Sequence, residues 1–286
     1  MKYLIAQNNI VAITKVISSI LNGELVFYSV EHFTENEILI TLEKEIGNKA
    51  EIFIYIELWP QPNNALIKLF FLLDLLVSKG CNNIKLIIPF IPYLRQDREL
   101  RPNSSIGSRS IAKILTYFSI NKIYTFDIHS SNAAGFFECG LINMSNNEYF
   151  ANKLIEHNAC SKALVLAPDM GALERAYILA KSIKATHQYL KKTRKNGQIF
   201  TESLSGIEKY DNIILVDDII DSGKTILSAI KSCKKYTNNI FICVSHILCK
   251  NITNKIAKKY PEVKIISPDP TELSPKELKL LYSQLL

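Results

Sequence analysis

The stretch NIILVDDIIDSGKTI, from Asn212 to Ile226, joins an apolar run to two adjacent carboxylates, a third carboxylate and then Ser-Gly-Lys-Thr. The β-branched run reads as a buried strand, and the chain must turn after Val216 into a helix beginning near Lys224. Gly-Lys-Thr also ends the P-loop that cradles nucleotide phosphates. That loop needs a glycine five positions before Gly223, and Asp218 stands there. The backbone N–H groups of residues 221 to 225 (Asp221, Ser222, Gly223, Lys224, Thr225), with the Ser222 and Thr225 hydroxyls, can still wrap a phosphate at a helix N-terminus. Asp217 and Asp218 cannot bind that phosphate, but they can accept hydrogen bonds from sugar hydroxyls. A sugar phosphate fits better than a nucleoside triphosphate alone. An acid pair that merely caps a helix does not account for a pattern this specific.

Working outward, the same alternation fills the chain. KYLIA, EIFIYIEL, IKLIIPF and KIYTFDI read as strands, and residues 10–21, 63–79 and 107–118 as helices. The pattern then restarts. KALVLAP, KATHQYL, NIILVDD, NIFICVSH and VKIIS read as strands, and GALERAYILAKS, KTILSAIKSCKKY and NITNKIAKKY as helices. Strand–helix alternation implies parallel, doubly wound sheets with helices on both faces. Two rounds of it imply an α/β chain of two tandem domains, 1–145 and 146–286, joined near Met144 to Asn147.

The bulk composition narrows the classes. Of 286 residues, 48% are hydrophobic and 21% charged, enough apolar content for a full core and too little charge for disorder. The formal net charge of +7 favours anionic ligands. No arginine-rich tract or basic helix with interleaved aromatics accompanies it, so nucleic acid is not an expected partner. The six cysteines (81, 139, 160, 233, 243 and 249) form no CxxC and read as reduced thiols of a cytoplasmic protein. The N-terminus lacks the pattern of a signal peptide. The longest apolar stretch, ALIKLFFLLDLLV, is broken by Lys68 and Asp74 and is too short to span a bilayer, so no membrane association is expected.

In doubly wound folds ligands bind beyond the carboxyl ends of the strands. Four further segments there carry chemistry. In PYLRQDRELR, Arg95 offers a planar fork for phosphate oxygens or a stacking surface for a base, with Gln96 beside it. In DIHSSNAAGFFE, His129 follows Asp127. APDMGALER carries Asp169 just past a strand. LKKTRKNGQIF leaves a strand with a dense run of cations and enters a glycine-containing loop. A charge run is usually solvated, but the fold aims such strand ends at the site, where they suit an anionic ligand.

These segments together resemble the ribose-phosphate pyrophosphokinase (PRPP synthetase) family. NIILVDDIIDSGKT resembles the PRPP loop of the type I phosphoribosyltransferase fold. IPYLRQDRELR resembles the family's Phe-Pro-Tyr-x-Arg-Gln-Asp signature, DIHSSNAAGFFE its Asp-Leu-His segment, APDMGALERA its Ser-Pro-Asp-x-Gly segment and HFTENE its Phe-Ser-Asx-x-Glu segment. The matches come in the family's order and cover nearly the whole chain. The resemblance implies two domains of the phosphoribosyltransferase type and transfer of the diphosphoryl group of Mg-ATP to the 1-hydroxyl of ribose 5-phosphate, giving PRPP and AMP for nucleotide biosynthesis. It implies Lys192 and Arg194 as catalytic cations on a mobile loop, Lys191 being one register away. It implies ATP contacts from Arg95, Gln96 and His129, and magnesium at His129 and Asp169. A direct imidazole contact to magnesium is unusual, so a water-bridged role or a phosphate hydrogen bond suits His129 better. It implies that Asp217, Asp218 and residues 221–225 hold ribose 5-phosphate. Phe33, Glu35 and Glu37 then grip adenine in a neighbouring subunit, which makes the chain a homo-oligomer.

Two other functions share parts of this pattern. A PRPP-consuming phosphoribosyltransferase has no need of RQD and DIH. A non-catalytic, synthetase-like regulatory subunit is expected to have lost loop cations or paired acids that are all present here. The chain departs from the family at Glu35, at Lys224 where glycine is common, and at Ser105-Ile106-Gly107-Ser108-Arg109 in place of Pro-Ile-Ser and a basic residue. Its length is nearer that of compact, less regulated members than of phosphate-activated ones.

Overall fold

The computed structural model describes residues 1–118, 120–190, 192–195, 198–201 and 210–286; for 192–195, 198–201 and 250 it describes the backbone alone. The chain divides into two compact units, Met1–Met144 with Pro270–Leu286, and Ser145–Asp269.

The first unit is built on a seven-stranded sheet of order β3-β2-β1-β4-β5-β6-β7. Its strands are β1 (Lys2–Gln7), β2 (Glu24–His32), β3 (Ile38–Leu42), β4 (Glu51–Tyr55), β5 (Ile84–Ile87), β6 (Lys122–Phe126) and β7 (Gly140–Met144). All neighbours pair in parallel except the β2–β3 hairpin, which is antiparallel at the sheet edge. The connecting helices are α1 (Val11–Leu21), α2 (Pro62–Ser78), α3 (Gly107–Tyr117) and the short α4 (Ser131–Ala134). Strand side chains alternate between faces, and β4 shows both. Ile52 and Ile54 enter a core with Leu66, Leu69 and Leu73 of α2 and Ile111 and Leu115 of α3. Phe53 and Tyr55 occupy the alternate positions, and Tyr55 meets Tyr282 edge-on, ring centroids 6.2 Å apart.

That second face explains a departure from the expected division at 145/146. Residues 270–286 belong to the first unit. Helix α9 (Pro275–Tyr282) starts with a capping box in which the Ser274 hydroxyl accepts from Glu277 N while the Glu277 carboxylate accepts from Ser274 N. It buries Leu278, Leu281 and Tyr282. Tyr282 packs against Phe126 of β6 as well as Tyr55.

In the second unit the sheet order is β14-β13-β12-β8-β9, all parallel. The strands are β8 (Ala163–Ala167), β9 (Thr186–Tyr189), β12 (Asn212–Ile220), β13 (Ile240–Ile247) and β14 (Lys264–Ile266). Helices α5 (Asn147–Glu156), α6 (Leu173–Ser182), α7 (Lys224–Cys233) and α8 (Lys250–Lys259) connect or flank them. A separate antiparallel pair joins β10 (Lys192–Lys195) to β11 (Gln198–Thr201). Apolar runs announce β12 and β13 because both are buried along most of their length. They do not announce β3 or β7, edge strands whose residues are mostly exposed or half-buried.

Candidate active site

The chain order of the second unit reverses between β8 and β12: β9 lies beyond β8 on one side, and β13 and β14 beyond β12 on the other. Such a switch point opens a crevice at the strand ends. The turn after β8 and the acid pair of β12 both lie there. β12 runs through Ile220, so Asp217 and Asp218 lie within the strand, before Ile219 and Ile220, and not in the turn that the sequence suggests after Val216.

Between β12 and α7 the chain passes through Gly223 at φ +73°. A Cβ at Gly223 would lie 2.1 Å from Ile252 Cδ1 of α8. Glycine is therefore demanded twice, by the left-handed backbone and by the close approach of α8. Gly223 is the N-cap of α7 and has no side chain to close the helix N-terminus itself. Asp221, Ser222, Lys224 and Thr225 are exposed around it. The first N–H groups of a ten-residue helix thus lie beside two hydroxyls and an ammonium, the chemistry of an anion cradle.

Beside this cradle the acids crowd. Asp218 is only 3% exposed, and its backbone N–H donates to Asp217 Oδ1 at 3.0 Å. Burial, then repulsion from Asp218 and more weakly from Asp169, pushes the Asp217 carboxyl up to about 8. Asp169 caps the 3-10 turn Met170–Ala172, accepting from Gly171 N at 3.0 Å, and stays exposed. Arg175 Nη1 of α6 lies 3.7 Å from Asp218 Oδ1 and donates to Gly171 O at 3.4 Å. The sequence reading gave Arg175 no role. Its signal was a cation in the first turn of a helix, where the helix dipole disfavours positive charge.

The remaining predicted residues of the second unit are Lys192 and Arg194. They fall on β10, opposite Thr201 and Ile199 of β11. Their side chains, and Lys191 altogether, lie outside the described residues.

On the first unit, Arg95 and His129 are exposed and Gln96 half-buried, beyond the ends of β5 and β6. Ser130 Oγ donates to Asp97 Oδ2 at 2.7 Å, tying the two loops together. The sequence reading gave neither side chain a role of its own, although Asp97 closes the RQD signature. The Gln96 carbonyl accepts from the Ser108 hydroxyl at 2.9 Å, and a Cβ at Gly107 would sit 2.6 Å from Gln96 Oε1. Gly107, a departure from the family's pattern, thus makes room for the Gln96 carboxamide at the start of α3. Phe33, Glu35 and Glu37 form the β2–β3 hairpin tip, closed by Phe33 N donating to Glu37 O at 2.9 Å. Phe33 is 54% exposed, a flat apolar surface without cover in its own unit. The first unit has its own switch point, between β1 and β4. A cavity of about 280 Å³ there is lined by Gln7, Tyr28, Tyr55, Glu57, Trp59 and Lys68, among others. None of the predicted ATP residues lines it.

Residues 2–118 match the N-terminal domain of ribose phosphate pyrophosphokinase, and residues 143–283 the phosphoribosyl transferase domain. The ribose-phosphate pyrophosphokinase of Mycoplasma genitalium is 30% identical over 224 residues, 77% of this chain and 67% of that protein. The protein of the same name from Thermococcus kodakarensis is 28% identical over 247 residues, 82% of this chain and 86% of its own length. The crystal structure of phosphoribosylpyrophosphate synthetase from Mycobacterium smegmatis superimposes with a TM-score of 0.79 over 99% of both chains at 21% identity, a likeness of fold.

Proposed function

The chain belongs to the ribose-phosphate pyrophosphokinase family and makes PRPP; we propose that the loop from Asp217 to Thr225 holds ribose 5-phosphate while Arg95, Gln96 and His129 hold ATP. The observation that carries this is the pairing of the α7 N-terminus, entered through the left-handed Gly223, with a carboxylate pair at the β8/β12 switch point. One ligand with a phosphate at one end and hydroxyls at the other satisfies both. Asp221, Ser222, Gly223, Lys224 and Thr225 take the 5-phosphate, and Asp217 and Asp218 accept from the ribose hydroxyls.

Magnesium fits the donors present. Asp169 is an exposed carboxylate, and among the described residues no three acids, imidazoles or thiols cluster into an all-protein cage. Magnesium is commonly held by one or two carboxylates beside substrate phosphates and keeps several waters. Asp169 would hold it beside substrate phosphates, and the His129 imidazole suits a bound water or a phosphate. When bound, it neutralises charge on the transferring phosphates.

The chain's own part is positioning and charge. Arg95 grips phosphate oxygens or stacks on adenine, and Gln96 offers its carboxamide. The hydroxyl–carboxylate bond from Ser130 to Asp97 keeps the two ATP loops together. The acids fix the ribose so that its 1-hydroxyl faces the β-phosphorus of ATP. Lys192 and Arg194 stabilise the charge that develops as the β,γ-diphosphoryl group transfers and AMP leaves. Phe33, Glu35 and Glu37 serve the adenine of a neighbouring copy, which makes the working form a homo-oligomer. Among the described residues no helix is long and apolar enough to cross a membrane, and six free thiols suit the reducing cytoplasm.

Phosphorus NMR of the purified chain with Mg-ATP and ribose 5-phosphate tests the reaction. AMP and PRPP are expected in equal amounts; ADP in place of AMP overturns diphosphoryl transfer.

A further inference from the structure

We infer that Arg175 is a positioning residue for ribose 5-phosphate, bridging the turn after β8 to the Asp218 carboxylate and so fixing the carboxylate pair that the sugar hydroxyls use. The inference rests on the placement of ribose 5-phosphate at Asp217–Thr225.

Four contacts form one chain. Asp169 Oδ1 accepts from Gly171 N at 3.0 Å. Gly171 O accepts from Arg175 Nη1 at 3.4 Å. The same Nη1 lies 3.7 Å from Asp218 Oδ1. Asp218 N donates to Asp217 Oδ1 at 3.0 Å. A single guanidinium nitrogen thus stands between the turn that carries Asp169 and the strand end that carries both acids.

The position of Arg175 is costly by local rules. With Ala172 as the N-cap of α6, Arg175 is the third helical residue, and a cation there opposes the helix dipole. Its side chain is only 22% exposed and that of Asp218 only 4%, so the pair is largely withdrawn from water. A local conflict of this kind at a strand-end crevice marks a functional demand. That demand is visible in the site itself. Two adjacent carboxylates repel, and nothing in their own loop but Lys224, which is exposed, carries positive charge. Arg175 supplies the cation from behind, through the helix packed against β8 and β12. A planar fork holds a carboxylate's orientation as well as its charge, which an ammonium does less well.

The test compares Arg175→Ala and Arg175→Lys with the parent, and uses Asp218→Asn as the control on the ribose reading. Kd for ribose 5-phosphate is measured by calorimetry, KM for both substrates by steady-state kinetics, and Tm by thermal unfolding. The Ala variant is expected to weaken ribose 5-phosphate binding by about tenfold or more, as misplaced binding groups do, with KM for ATP unchanged. The Lys variant is expected to recover part of the loss. A merely structural role lowers Tm and the active fraction, hence kcat, and leaves ribose 5-phosphate affinity intact in the folded protein. Unchanged affinity in Arg175→Ala with weakened affinity in Asp218→Asn overturns the inference and keeps the ribose site. Unchanged affinity in both overturns the ribose site and the inference with it. If Arg175→Ala does not fold, Arg175→Gln carries the same measurement, since it drops the charge and keeps an amide donor toward Gly171.

Discussion

At the scale of single residues, the proposed site holds positions where local preference yields to tertiary context. Gly223 is the clearest. Alanine there meets both a left-handed φ of +73° and Ile252 Cδ1 at 2.1 Å. Gly223→Ala is expected to destabilise the fold by about 1–3 kcal/mol and to weaken ribose 5-phosphate binding. Adding Ile252→Ala relieves the clash but not the dihedral, so calorimetry of the double variant should show only partial recovery. Full recovery would assign the whole effect to packing. Asp217 gives a pH signature. Its folded value, about 8, lies above the ordinary carboxylate value near 4. Between those values the folded chain binds a proton that the unfolded chain has released, so the stability of the unliganded protein falls as pH rises through that window. Asp217→Asn is expected to flatten that slope in denaturant titrations from pH 5 to pH 8; an unaltered slope would place its origin elsewhere. Lys192→Ala is expected to cut turnover by about 10²- to 10³-fold, the usual loss of one transition-state cation or donor, with little change in ATP affinity. Unchanged turnover removes Lys192 from that role.

Among the elements, α9 shows how a short amphipathic segment is claimed by a distant sheet. PKELKLLY carries a start signal, the Ser274–Glu277 capping box, and an apolar stripe of Leu278, Leu281 and Tyr282. Neither says which sheet it covers. Phe53, Tyr55 and Phe126 leave an aromatic face on the first unit's sheet, and α1 and α9 are the helices that pack together there. Leu278→Ala is expected to cost about 2–5 kcal/mol. Trp59 is the single tryptophan of the chain and lies in the first unit, so its fluorescence reports the loss where it occurs. An unshifted Trp59 transition would mean that α9 does not support the first unit. The β2–β3 hairpin makes the complementary case. It ends the sheet with an antiparallel edge and carries Phe33, Glu35 and Glu37 out to solvent at its tip.

For the whole molecule, the proposed sharing of the adenine site has a direct consequence. Phe33→Ala and Lys192→Ala, each poorly active alone, are expected to regain activity on mixing and reassociation. In mixed oligomers some sites combine the intact Phe33 of one chain with the intact Lys192 of another. Activity equal to the sum of the separate variants would confine each site to one chain. Most of the fold was legible before the structure, since buried parallel strands are apolar from end to end and the helices between them are amphipathic. The strand-to-helix junction at Gly223 was legible too, because Asp-Ser-Gly-Lys-Thr breaks the apolar run and starts the next amphipathic one. The edges were not. β3 and β7 are half-exposed and carry a diluted apolar pattern. Asp97 and Ser130 lie 33 positions apart and meet only because their loops leave neighbouring strands.

The sequence by itself determined the strand–helix alternation, the two rounds of it, the strand–glycine–helix junction at Gly223 and the family, because each is written in residues close together along the chain. Tertiary structure alone decided that residues 270–286 return to the first unit, that β12 runs on past its acids to Ile220, and that Arg175 stands beside Asp218. In each case the deciding term is the burial of a face or a charge by a partner far away in sequence, and no local pattern records which partner that is.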